Sequence, residues 1–150
     1  MQNAILTGTT ERTRSSSVAV VIPAFNEAES LAQVLAGLIS NPWRVIVVDD
    51  ASTDGTERVA RSFPVDFVQH ACNLGQGAAL QTGIECALRC PGIEHIVTFD
   101  ADGQHDPADI PRLLAPLRDG THQVVLGTRF LLPGHAVNMP LLRRWVLRLA

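Results

Sequence analysis

Five short runs rich in Val and Ile constrain this chain more than anything else in it: "VAVVIP" (Val18 to Pro23), "RVIVVDD" (Arg44 to Asp50), "VDFVQH" (Val65 to His70), "EHIVTF" (Glu94 to Phe99) and "HQVVLG" (His122 to Gly127). They are too short for core helices, and the first two are apolar on both sides rather than alternating. Strands of that kind belong in a sheet covered on both faces. Between the runs lie segments of helical period, the clearest placing Leu31, Val34, Leu35, Leu38 and Ile39 on one stripe. The alternation predicts an α/β fold, a Rossmann-like, mostly parallel sheet with helices on both faces. "STDGTERVARSF" supplies capping residues, Ser52 or Thr53, and a short helix. "GQGAALQTGIECALRC" predicts a helix of small residues entered through a glycine loop, and "PADIPRLLAPLRDG" one that starts near Pro107 and stops at Gly120. No internal repeat is visible.

With 150 residues and 46% hydrophobic content, the chain has enough apolar material for one domain with a real core. Residues 1–17, ending "TERTRSSS", lack an apolar period and are expected to be a disordered lead-in, so the domain is placed at 18–150. A net charge of -3 provides no basic field, which argues against a nucleic-acid partner. All 12 cationic residues are Arg, a compositional habit rather than a site. Cys72, Cys86 and Cys90 show no paired CxxC spacing and follow no secretory signal, which fits a reduced, cytoplasmic setting. Cys86 and Cys90 are either small buried residues or, with His70 and Cys72, zinc ligands. No apolar run reaches the roughly 18 residues that a membrane-spanning helix needs.

In open α/β sheets, ligands bind where the strands end at their carboxyl side. Acidic residues fall at three such ends: Glu27 after the first strand, Asp49 and Asp50 closing the second, and Asp100 and Asp102 in "TFDADGQHDP" after the fourth. If these strands are neighbours, the carboxylates converge on one crevice, and their mutual repulsion calls for a divalent cation. Mg²⁺ or Mn²⁺ takes oxygen ligands and keeps positions open for water or phosphate, and Gln104 could add an amide oxygen. The competing reading of Asp-x-Asp-Gly is a turn with capped amides, because Asp and Gly suit turns. Asp50, at a strand tip, is suited to accept hydrogen bonds from a base or ribose. "NLGQGAALQTG" lets backbone approach a ligand closely, but it lacks the Lys and Ser/Thr of a P-loop.

Taken together, "VVIPAFNEAESL", "VIVVDDASTDGT", "NLGQGAALQTGI", "FDADGQHDPADI" and "VVLGTRF" stand in an order and spacing that resembles the inverting glycosyltransferases of family 2. The likeness runs from about Val18 to Arg144 and is greatest to the branch of dolichol-phosphate mannosyltransferase and the undecaprenyl-phosphate glycosyltransferases. The resemblance implies the GT-A fold and sugar transfer from a UDP- or GDP-linked donor to a polyprenyl phosphate, with inversion and metal assistance. It also implies site residues. Pro23, Phe25, Glu27, Val48, Asp50, Asp100 and Ala101 would lie around the nucleotide donor. Asp100, Asp102 and Gln104 would hold the metal, and Asp102 and Arg129 would serve the reaction itself. Where the family commonly has Lys in the glycine loop, this chain has Gln76.

In "PLLRRWVLRLA", helical spacing sets Leu141, Leu142, Trp145, Val146 and Leu149 against Arg143, Arg144 and Arg148. Such a helix suits a membrane surface or a phosphate, and equally a core with a solvated Arg face. By the resemblance, Arg143 or Arg144 would meet the acceptor phosphate. Family members continue past Ala150, so a chain truncated at its C-terminus is expected, with donor binding better provided for than turnover. A binding-only fragment and a nucleotidyltransferase are the rival readings, the second weakened because "PAFNE" is neither glycine-rich nor basic.

Overall fold

The computed structural model describes residues 16–127. Among the described residues four parallel strands form one sheet: β1 (Val18–Ala24), β2 (Arg44–Asp49), β3 (Asp66–Gln69) and β4 (His95–Thr98). Their order is β3-β2-β1-β4. The helices are α1 (Ala28–Ile39), α2 (Thr56–Arg61), α3 (Gln76–Leu88) and α4 (Ile110–Arg118), the last preceded by a 3₁₀ turn at Pro107–Asp109. This is the mostly parallel α/β sheet that the periodicity predicts.

The strand pleat sorts β1 into two cores. Val18, Val20 and Ile22 face α1, where they join Leu31, Val34, Leu35 and Leu38, with Ile110 and Leu114 from α4. Ala19 and Val21 face the other way, with Ile46 and Val48 of β2 against Ala79 and Ala87 of α3. All seven residues of β1 are buried, as its unbroken apolar run requires. Each fully buried Val, Leu or Ile contributes on the order of 1.5–3 kcal/mol.

The second core is thin because α3 is built from small residues. A Cβ at Gly83 would overlap Val21 Cγ1 and lie 3.2 Å from Val48 Cγ2. Glycine here lets α3 lie directly on the sheet.

The chain runs outward from β1 through β2 to β3, then crosses the opposite face by α3 and adds β4 on the other side of β1. The order therefore reverses between β1 and β4. In such sheets the crevice at that reversal, beyond the strands' carboxyl ends, is where ligands bind.

Two boundaries differ from the sequence reading. Ser16 and Ser17 belong to the fold rather than to a lead-in: Ser16 is buried, and the Ser17 carbonyl accepts from the amides of Glu94 (2.8 Å) and His95 (3.0 Å). Residues 1–15 lie outside the described part. The fifth strand expected at His122 to Gly127 does not form within the described residues. A strand needs a ladder partner and a covered face, whereas Val124 and Leu126 are exposed.

Gly83→Ala should destabilise the chain by about 2 kcal/mol, because overpacking a close helix-sheet contact forces both layers apart. Urea unfolding followed by circular dichroism measures it; an unchanged midpoint would show that α3 has room to retreat.

Candidate active site at the β1–β4 crevice

The loops after β1 and β2 are latched to each other. The Asn26 amide donates to Ser52 Oγ (2.9 Å), the Glu27 amide to Thr56 Oγ1 (2.9 Å) and the Ala28 amide to Asp54 Oδ2 (3.1 Å). In return the Thr53 amide donates to Asn26 Oδ1 at 2.9 Å. Asp54, rather than Ser52 or Thr53, organises the start of α2, with Oδ1 accepting from the Thr56 amide and hydroxyl. The Thr56 hydroxyl first, then the Thr56 and Ala28 amides, hold the Asp54 carboxyl below its ordinary pKa, against a raising effect of burial. These bonds consume most of the polarity of "DDASTDGT" in structure. They also hold Asn26 and Ala51 at positive φ, 56° and 62°.

Asp49 is fully buried, accepting from the Ser52 amide (3.1 Å) and Gln69 Nε2 (2.9 Å). Asp50 is 2% exposed, and its amide donates to the Ala24 carbonyl. Its Oδ1 accepts from His70 Nδ1 (2.7 Å) and the Leu74 amide (2.9 Å), and its Oδ2 from the Gly75 amide (2.7 Å). Burial on its own would raise the Asp50 pKa; the Leu74 amide, His70 and the Gly75 amide outweigh it and leave the pKa lowered. The sequence places Asp50 at an open strand tip facing a base, but here its carboxylate turns inward and holds the glycine loop.

Beyond β4 the acids are arranged differently. Asp100 side-chain exposure is 44%, with His105 Nε2 at 3.4 Å from Oδ2 and Gln76 Nε2 at 3.4 Å from Oδ1. Asp102 is exposed, and its Oδ1 accepts from the Gln104 amide at 2.9 Å, across Gly103 at φ 75°. The motif is thus a turn that leaves carboxylates outward, so the turn reading and the ligand reading are compatible. The His105 ring stands edge-on to Phe99, 5.3 Å between centroids, which fixes the turn against the core. Asp106 Oδ1 accepts from the Ala108 amide and begins the next helical turn.

The other expected donor residues divide by exposure. Phe25 is 46% exposed, and Glu27 is half-buried, its Oε2 accepting from Ser30 Oγ (2.8 Å). Pro23, Val48 and Ala101 are buried, and the Val48 and Ala101 side chains belong to the two cores, so only their backbone is open to a ligand at the strand ends. Arg129, Arg143 and Arg144 lie outside the described residues.

The carboxylates do not gather into a single cage. Among the described residues, no three His, Cys, Asp or Glu side chains are placed to hold a metal ion. Glu27 and Asp50 are engaged elsewhere, which leaves Asp100 and Asp102. Their side-chain oxygens, with that of the exposed Gln104, are of the kind Mg²⁺ or Mn²⁺ accepts when phosphate and water complete the shell. Cys86 packs at the edge of the α3 core, where burial raises its thiol pKa, and Cys90 Sγ is 3.2 Å from the Cys86 carbonyl. His70, which the sequence reading considered only as a zinc ligand, is the functional candidate it missed; its three-residue lead on "NLG" was the available signal.

The model of glycosyl transferase family 2 matches residues 19–149. The chain belongs to this family. Undecaprenyl-phosphate mannosyltransferase of Micrococcus luteus is 37% identical over 136 residues, 86% of this chain and 55% of that protein. UDP-N-acetylglucosamine–dolichyl-phosphate N-acetylglucosaminyltransferase of Methanococcus voltae is 32% identical over 143 residues, 83% of this chain and 57% of that protein. The family 2 chain spans about half the length of the curated relatives it matches. Among solved structures, glucosyl-3-phosphoglycerate synthase of Mycobacterium tuberculosis, in complex with Mn²⁺, UDP and phosphoglyceric acid, superimposes with a TM-score of 0.56 at 26% identity, covering 67% of this chain and 38% of that one. The fold is GT-A.

Two tests follow. Ala51→Gly should stabilise the chain by about 1 kcal/mol, the cost of holding a non-glycine residue in the left-handed region; thermal unfolding measures it, and no gain would mean the latch, not the side chain, sets this conformation. Asp50, whose pKa is lowered on folding, contributes stability that is complete above its unfolded pKa and disappears as pH falls through the folded one. Acidification below about pH 4 should therefore lower the urea midpoint more in the native chain than in Asp50→Asn.

Proposed function

We propose that this chain transfers a sugar from a UDP- or GDP-linked donor to a polyprenyl phosphate with inversion, and that residues 16–150 form the domain that does so. The observation that carries the reading is the outward pair Asp100 and Asp102 at the β1–β4 reversal in a family 2 chain. The two named relatives, both transferases acting on prenyl phosphates by their names, support the acceptor class.

The donor's leaving group is a nucleoside diphosphate, so the site must stabilise charge that grows as the anomeric bond breaks. Asp100, Asp102 and Gln104 would hold Mg²⁺ or Mn²⁺, which supplies that neutralisation when bound. Arg129 is proposed to add a fixed positive charge to the same phosphates, and Arg143 or Arg144 to bind the acceptor phosphate. Phe25, exposed at the tip of β1, offers an apolar face to the nucleoside, while Pro23, Val48 and Ala101 shape the floor. A phosphate nucleophile is already anionic near neutral pH and needs no strong general base, unlike an acceptor hydroxyl. A prenyl acceptor would put the work at a membrane surface, and we propose its cytoplasmic face. Among the described residues no helix is long and apolar enough to cross a membrane.

Calorimetric titration with UDP and with GDP, each with and without Mn²⁺, tests the reading. One nucleotide should bind in a Mn²⁺-dependent manner, and Asp102→Ala should weaken it at least about tenfold, since even a group that only supports a metal ligand is typically worth that much. Binding of neither nucleotide, or equal binding by Asp102→Ala, overturns the metal-donor site. Release of nucleoside diphosphate from a sugar nucleotide separates a transferase from a chain that only binds.

A further inference from the structure

His70 sits at the end of β3 with 9% of its side chain exposed, and both ring nitrogens are engaged. Nδ1 is 2.7 Å from Asp50 Oδ1 and Nε2 is 2.9 Å from Thr82 Oγ1 on α3. An ionised carboxylate can only accept, so Nδ1 carries the proton and the ring orientation is fixed from both sides. Its backbone is fixed as well, the His70 amide donating to the Asp49 carbonyl at 2.9 Å.

Through Asp50 this arrangement reaches the glycine loop. The Leu74 and Gly75 amides converge on the Asp50 carboxylate at 2.9 and 2.7 Å. Gly75 has φ 91°, a conformation that side chains rarely adopt, and the next residue, Gln76, begins α3. Gln76 Nε2 in turn lies 3.4 Å from Asp100 Oδ1. A continuous path of hydrogen bonds and rigid backbone thus runs from Thr82 through His70, Asp50 and Gly75 to the carboxylate at the crevice. The contacts in that path are polar, and none of Thr82, His70, Asp50 and Gly75 belongs to either hydrophobic core.

We propose that His70 is a positioning residue for the donor site. By orienting Asp50 it sets the Asn73 to Gln76 loop, and through Gln76 it sets Asp100. The inference rests on the donor-site reading above, since it needs a donor for the loop to face. His70 and Asp50 do not touch the donor in this scheme; Thr82 holds the ring, and the loop carries the effect.

The test compares His70→Phe, which keeps a ring and loses both polar contacts, with His70→Asn, whose amide replaces the Nδ1 donor toward Asp50. Two readouts are taken on the full chain: hydrogen exchange of the Leu74 and Gly75 amides by NMR, and affinity for UDP and GDP with Mn²⁺ by calorimetry. His70→Phe should speed exchange at both amides and weaken the nucleotide about tenfold, while His70→Asn restores both, in keeping with one charge-assisted hydrogen bond. Unchanged exchange in His70→Phe overturns the proposal, as does faster exchange with unchanged affinity, which would make the histidine purely structural. If His70→Phe fails to fold, Thr82→Val frees Nε2 alone and should give a smaller change of the same kind in both readouts; no change in either overturns the proposal. A native chain that binds neither nucleotide removes the donor reading itself, and with it the site to be positioned. A native chain that binds while both His70 variants bind equally well removes only the positioning role.

Discussion

Everything at the site hangs from β1. Its seven residues are buried between two helical layers, and its backbone pairs with β2 on one side and β4 on the other. Because β1 is the point from which the chain leaves in one direction and to which it returns in the other, the loops after β1, β2 and β4 must emerge side by side. The register makes this concrete: Ala24 lies opposite Asp49, and the Ala24 carbonyl then receives the Asp50 amide. Beyond β4, the Phe99 amide donates to the Val21 carbonyl, so Asp100 leaves the sheet beside the same central strand. The hydrophobic effect holds β1 in place, and backbone pairing converts that into the position of the polar groups.

The crowding of acids around this end is resolved by hydrogen bonding. Asp49, Asp50 and Asp54 are each given amide, hydroxyl or side-chain N–H donors, and a carboxylate with several such donors is stable as an anion even when buried. Their negative charge is therefore compensated within the loops. The latch between the first two loops explains why "DDASTDGT" contains so many small polar residues: Ser52, Thr53, Asp54 and Thr56 each have a partner on the segment after β1. The left-handed conformations at Asn26 and Ala51 are the local cost of that latch.

Much of this was legible in the sequence, for reasons that can be named. The unbroken apolar runs of β1 and β2 report a sheet covered on both sides, and the Leu31, Val34, Leu35, Leu38 stripe reports the helix covering one face. The helical start expected near Pro107 is where the Asp106 carboxylate caps the Ala108 amide. What the sequence leaves open is as instructive. "HQVVLG" has strand-like residues, but strand formation depends on a neighbour that composition cannot reveal. Asp50 was read as a ligand group because it sits at a strand tip, and only three-dimensional proximity shows His70 and the Leu74 and Gly75 amides closing over it. Val48 and Ala101 follow strand-end motifs, yet the pleat turns their side chains inward. In each case the residue type was informative about chemistry and silent about direction.

Direction is what separates scaffold from site here. The acids that serve the fold are buried or saturated with donors, so replacing one would leave amides unpaired and cost stability. Asp100 and Asp102 follow the opposite pattern: both are outward, Asp102 closes only a local turn, and Asp100 has two contacts at the outer limit of hydrogen-bond length. Holding two carboxylates one residue apart at a sheet end gains little for folding and incurs mutual repulsion. Among the described residues there is no strong internal compensation for that repulsion, which is the physical condition under which a cation and the phosphates that accompany it gain most by binding. The buried acids supply the rigid frame, and the exposed pair is placed by that frame at the reversal of strand order.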